Sequence, residues 1–149
     1  MTGGRRTTLV AYDGSVTARA AVAYAARHLG PNGRLVVAHV VVPPAEYLDE
    51  LYDERRHRQR ERGEELVREV KDMLGDVPAE LRVGEGPPAD TLVELAHECG
   101  ADEIAVGSRG LGAGRALLGS VSHALLRVSD LPVVVITRRA AEREAAEVD

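Results

Sequence analysis

Residues 102–136 read DEIAVGSRGLGAGRALLGSVSHALLRVSDLPVVVI. A short apolar run, "DEIAVG" (102–107), breaks off at a glycine-rich loop. An amphipathic stretch, "SVSHALLRVSD" (120–130), follows, and "PVVVIT" (132–137) is apolar again. Short valine-rich runs bounded by glycine and proline read as strands, and the segment with 3.6-residue spacing reads as a helix. A strand, a helix and a strand in succession form the unit of a parallel sheet, because two parallel neighbours can be joined only by a crossover.

The same alternation runs through the rest of the chain. "TTLVAYD" (7–13) is the first strand. "SVTARAAVAYAARHLG" (15–30) sets Ala20, Ala21, Tyr24, Ala25 and Leu29 on one helical face, and Gly30-Pro31 stops it. "RLVVAHVV" (34–41) is almost continuously apolar, as expected of a strand covered on both faces, and Pro43-Pro44 ends it. A long helical stretch from Ala45 to Leu74 has a charged middle whose acids and bases are interspersed, the pattern of a solvated face rather than of an RNA-binding stripe. "AELRVGEG" (79–86) is a short strand expected near an edge. "PPADTLVELAHECG" (87–100) is a helix with proline at its start and glycine at its end. Five strands and their helices therefore make one domain over residues 1–138. The remainder, 139–149, is charged and alanine-rich; with no apolar face worth burying, it is expected to be mobile.

Composition excludes several classes of function. The formal charge of −5, with four tyrosines and neither Phe nor Trp, lacks the cationic footprint and stacking surface of a nucleic-acid binder. Cys99 is the only cysteine, so no intrachain disulfide forms, and it reads as a small apolar residue. The apolar stretch after Arg5 and Arg6 is broken too soon by Asp13 to be a signal peptide's core, and no run approaches the length of a membrane span. A soluble, cytoplasmic protein without nucleic-acid or membrane partners is expected.

In an open parallel sheet, ligands bind beyond the carboxyl ends of the strands, where the strand order reverses. That rule selects Asp13 to Ser15, Val40 to Val42, and Val106-Gly107 with the loop that follows. A phosphate-binding P-loop needs Gly-Lys-Ser or Gly-Lys-Thr, and "GSRGLGAGRALLGSVS" (107–122) has no lysine. Phosphate could still be held without it. Gly107 and Gly110 let backbone amides turn towards an anion. Gly119, Ser120, Val121 and Ser122 open a helix whose free N–H groups attract negative charge. The serine hydroxyls could cap that helix or bond a phosphate oxygen, and a larger residue at 119 would intrude on the anion or disturb the backbone angles. The other reading is a tight strand-to-helix connection and nothing more. "GLGAG" does not follow a first strand, so it is not a dinucleotide fingerprint. Arg109 and Arg115 either add phosphate charge or reach into solvent. His39, within an apolar strand, and His123, on a helix, read as structural. No catalytic residue is assigned.

"AYDGS" (11–15), "AHVV" (38–41), "GPPADTLVELAHECGADEIAVGSRG" (86–110) and "GSVSHALLRVSDLPVVVI" (119–136) together resemble the universal stress protein family, in its ATP-binding branch. Its signature, Gly-x2-Gly-x9-Gly-Ser/Thr, is met at Gly107, Gly110, Gly119 and Ser120, with eight residues, Leu111 to Leu118, in place of nine. The resemblance implies an α/β fold of the adenine nucleotide alpha hydrolase-like kind: a doubly wound five-stranded parallel sheet, order 3-2-1-4-5, with helices on both faces. It also implies a homodimer through the last strand and a role as a nucleotide-responsive stress regulator. Ala11, Asp13 and Val40 would line the adenine and ribose end, with Val106 flanking the base or sugar. Gly107, Gly110, Gly119, Ser120, Val121 and Ser122 would cradle the phosphates of ATP, and Asp13 would hold a ribose hydroxyl or help seat phosphate-bound Mg²⁺. The alternatives are a slow ATPase or nucleotidyl-transfer relative, and a family member that no longer binds nucleotide and acts by protein contact.

Overall fold

A computed structural model describes residues 5–43, 51–108 and 118–148. Strands and helices alternate: β1 (Thr7–Ala11), α1 (Val16–Arg27), β2 (Arg34–Val41), α2 (Tyr52–Leu74), β3 (Ala79–Glu85), α3 (Pro88–Glu98), β4 (Glu103–Gly107), α4 (Ser120–Val128), β5 (Val133–Ile136) and α5 (Arg138–Val148). The five strands are parallel in the order β3-β2-β1-β4-β5, as the resemblance implied, and "AELRVGEG" is indeed at an edge. The first strand ends two residues earlier than expected, at Ala11. Of the long helix expected from Ala45, the part from Tyr52 onward is described, and residues 44–50 lie outside the description.

Alternation along each strand divides the core in two. Val10, Leu35, Val37 and Ala105 face α1, α2 and α5, whereas Leu9, Val36, Ala38 and Ile104 face α3 and α4. Because both faces are covered, the central strands read as apolar runs. Leu9, Leu35, Ile104 and Leu125 are at most 1% exposed, each contributing about 1.5–3 kcal/mol by leaving water. The arginine-rich middle of α2 is exposed, with pairs such as His57–Glu61 at 3.0 Å and Arg62–Glu65 at 3.3 Å along its surface. The solvated-face reading therefore describes it.

The C-terminal tail departs from expectation. Residues 138–148 form α5, started by Thr137, whose Oγ1 accepts the N–H of Ala140 at 3.1 Å. Ala141 is 4% exposed in the same core cluster as α1, and the carboxylate of Glu144 meets Arg27 of α1 at 3.0 Å. Small alanines on both helices permit close approach, and that close approach offsets the lack of large apolar side chains.

At the amino end of the sheet, the Glu80 carboxylate accepts from Arg82 at 2.8 and 2.6 Å and is also paired with Arg34. These two guanidinium groups, Arg82 first, hold its carboxyl below the ordinary carboxylate range. A depressed native value contributes stability above the unfolded value of about 4.3, and that contribution is lost as pH falls through the native value. Glu80→Gln is therefore expected to be less stable than the wild type at pH 7, with the gap closing towards pH 3. Urea unfolding at the two pH values measures it, and a gap independent of pH contradicts the pairing.

Candidate functional site

The chain leaves β1 through α1 towards β2 on one side, and later crosses through α3 to β4 on the other. The carboxyl ends of β1 and β4 thus part at the switch in strand order. A crevice of about 280 Å³ opens there. Ala11 and Asp13 from the end of β1, Val40 from β2, and Val106 and Gly107 from β4 line it on one side. Gly119, Ser120, Val121 and Ser122, at the start of α4, line the other. Arg109 and Gly110, also expected at the site, and Arg115 lie outside the described residues.

Each position has a local cause. Beyond Ala11 the chain turns at Gly14, whose φ of +83° places it where a side chain is strained. Asp13 fastens this turn, its Oδ1 accepting the N–H of Ser15 at 2.9 Å, and Ser15 Oγ caps α1 by accepting the N–H of Ala18 at 3.2 Å. One carboxylate oxygen of Asp13 therefore performs the turn-capping role open to a strand-end acid.

The two readings of the glycines divide between residues. Gly107 is a matter of packing: a Cβ there would lie 2.5 Å from Thr17 Oγ1, 2.6 Å from the Thr17 carbonyl carbon and 2.7 Å from Ala18 N, so α1 rests on its backbone. Gly119 is the N-cap of α4, with φ −67° and ψ 165°, angles open to any residue. The expectation that a larger residue would disturb those angles is therefore corrected, and only its bulk matters. Ser120 is the first helical residue rather than the cap. Ser122, 1% exposed, donates its hydroxyl to Gly119 O at 3.0 Å, so that proton serves the helix. The first amide to find an acceptor within α4 is that of His123, bonded to Gly119 O at 2.9 Å. The N–H groups of Ser120, Val121 and Ser122 precede it, at the positive end of the helix dipole.

On β2, the backbone presents a second set of polar groups. In a parallel strand, alternate residues direct both N–H and C=O to the same neighbour. Ala38 O accepts from Tyr12 N–H at 2.8 Å on the β1 side, and Val41 O accepts from Gly86 N–H at 3.0 Å on the β3 side. Val40 therefore faces the side of β1, which has already ended. Its N–H and C=O make no backbone hydrogen bond to the described residues after Ala11 and stand at the crevice wall.

Residues not anticipated also line the crevice, among them Ala38, Pro88 and Leu92, and Val42, expected with Val40, is there too. Ala38 was open to inference, since it lies two positions before Val40 on the same face. Pro88 and Leu92 enter because α3 starts directly after β3 at this end. His39, read as structural, is at the wall as well, its Nδ1 2.7 Å from the carbonyl of Tyr12. Burial pushes the Cys99 thiol above its ordinary range, in keeping with an apolar role. Among the described residues there is no cluster of metal-ligating side chains, and no helix is long and apolar enough to cross a membrane.

The sequence profile of the universal stress protein family matches residues 4–137. The chain belongs to that family. A universal stress protein of Thermus aquaticus is 35% identical over 134 residues, covering 88% of this chain and 98% of the relative. Among solved structures, a universal stress protein in complex with cAMP is 31% identical with a TM-score of 0.66, covering 88% of this chain and 96% of its own. A family member from Burkholderia pseudomallei is 26% identical with a TM-score of 0.72, over 91% and 98% of the two chains.

Proposed function

We propose that this universal stress protein binds an adenine nucleotide in the crevice, with ATP as the working ligand, and acts as a nucleotide-responsive regulator. The observation that carries the reading is the pair of backbone groups on Val40, one donor and one acceptor side by side, across the crevice from the first amides of α4, which have no acceptor within the helix. Adenine presents the matching edge, its N6–H₂ donating to the carbonyl and its N1 accepting from the amide. Guanine presents the reverse, an O6 acceptor and an N1–H donor. Ala11, Ala38, Val106 and Leu92 supply apolar walls for a base. The relative solved with cAMP supports an adenine ligand.

The phosphates would meet the amides of Ser120, Val121 and Ser122, which suit an anion without any lysine. The carboxylate of Asp13, at the crevice, fits a ribose hydroxyl or a phosphate-bound Mg²⁺, an ion that commonly takes one or two protein carboxylates and completes its shell with phosphate and water. When bound, the ion would neutralise phosphate charge. For assembly we propose a homodimer through β5. That strand is an edge carrying Val133, Val134 and Val135 with no charge, whereas the opposite edge, β3, carries Glu80, Arg82 and Glu85. Sedimentation equilibrium reads the mass.

ATP at a hundredfold excess over its dissociation constant is expected to add about 2.7 kcal/mol, a rise in melting temperature of about 5–10 °C, with GTP giving less. Equal shifts with all nucleotides, or none, contradict an adenine site. Asp13→Asn is expected to keep the fold and weaken Mg-ATP, and turnover should stay near background in both proteins. A turnover of order one per second, abolished by Asp13→Asn, would replace the regulator with an enzyme.

A further inference from the structure

His39 lies on the face of β2 opposite Ala38 and Val40, under α2, where a Cβ added to Gly63 would come within 2.7 Å of its Cδ2 and 3.4 Å of its Nε2. Glycine is a poor residue for a helix interior, and here it leaves room for an imidazole. The Nδ1 of that ring is 2.7 Å from the Tyr12 carbonyl oxygen. A carbonyl can only accept, so Nδ1 carries the proton.

The acceptor it occupies is significant. With Tyr12 N–H bonded to Ala38 O at 2.8 Å, the next rung of a continuing parallel ladder would run from Val40 N–H to Tyr12 O. That rung is not made, and the imidazole holds the carbonyl in its place. We propose that His39 is a positioning residue for nucleotide recognition: by holding the Tyr12 carbonyl out of the sheet, it keeps the Val40 amide available to the base. The inference rests on the adenine reading above and assigns its selectivity to a side chain that need not touch the ligand. Asp13 directly follows the held carbonyl, so the same hydrogen bond fixes where that carboxylate begins.

Two measurements on the full chain test it. The first needs no ligand: the NMR coupling across a hydrogen bond between Val40 N and Tyr12 C′ is expected to be absent in the wild type and in His39→Asn, whose amide donates from nearly the Nδ1 position. It is expected to appear in His39→Leu. The second is calorimetry, in which His39→Leu should weaken ATP roughly tenfold and narrow the preference for ATP over GTP, with the Asn variant restoring both. Should the Leu variant fail to fold, Gly63→Ala displaces the ring without altering it, and the same coupling and the same loss are expected. A Val40–Tyr12 bond in the wild type, or none when the ring is removed or displaced, overturns the role of His39. A lowered melting temperature with unchanged ATP-to-GTP preference overturns it too, leaving a merely structural histidine. Failure of every adenine nucleotide to bind the wild type, with the coupling as expected, overturns the adenine reading instead.

Discussion

Gly107→Ala is expected to lower the melting temperature by about 6–12 °C, corresponding to about 3 kcal/mol, although it adds a single methyl group. The added carbon would stand 2.6 Å from the Thr17 carbonyl carbon and 2.7 Å from the Ala18 nitrogen, both backbone atoms of the first turn of α1. A flexible side chain could rotate away, but a helix has to move as a body. Moving α1 disturbs Ala21, Val22 and Ala25, which are buried between the sheet and its neighbours, and carries with it the Ser15 cap, whose N–H is bonded to the crevice residue Asp13. ATP affinity should therefore fall together with stability. Thermal denaturation followed by circular dichroism measures the first effect, and an unchanged melting temperature would mean that α1 yields without cost.

Gly107 also shows where sequence reading stops. The alternation of apolar runs and amphipathic stretches was sufficient for the parallel sheet, because covered strands and crossover helices leave different periods in the chain. The strand order came from the family resemblance. The strand ends that line the crevice, Asp13, Val40 and Val106, followed from the rule that ligands gather at the carboxyl edge, and Ala11 came from the resemblance. What could not be read was contact between distant residues. Nothing around position 107 indicates that Thr17 rests on it, and a glycine before a loop looks the same whether it makes room for an anion or for a helix. Residues 138–148 pose the same difficulty. Their alanines bury little area by themselves and become a packing surface only because α1 presents alanines in return. Ser122 illustrates a third limit, since a hydroxyl in the first turn can serve a ligand or its own helix, and only its 3.0 Å bond to Gly119 O distinguishes them.

Gly119→Val is expected to weaken ATP roughly a hundredfold while leaving adenosine within about twofold, the effect of losing two hydrogen bonds to a charged group. The backbone at Gly119 requires no glycine, since φ −67° and ψ 165° suit any residue, so the fold should survive the change. The loss would come from position. Gly119 lines the crevice immediately before the three amides of α4 that have no acceptor within the helix, and an isopropyl group there would occupy the space of the anion they face. Adenosine has no phosphate and would be read at Val40, on the opposite wall. Ser120→Ala should be milder, costing about 0.5–1.5 kcal/mol if its hydroxyl donates to a phosphate oxygen. Calorimetric titration of ATP and adenosine into each variant separates the cases. Equal losses for the two ligands would show that Gly119 supports the shape of the whole crevice. Unchanged ATP binding would show that the phosphates lie away from α4, leaving the amides of Ser120, Val121 and Ser122 to water.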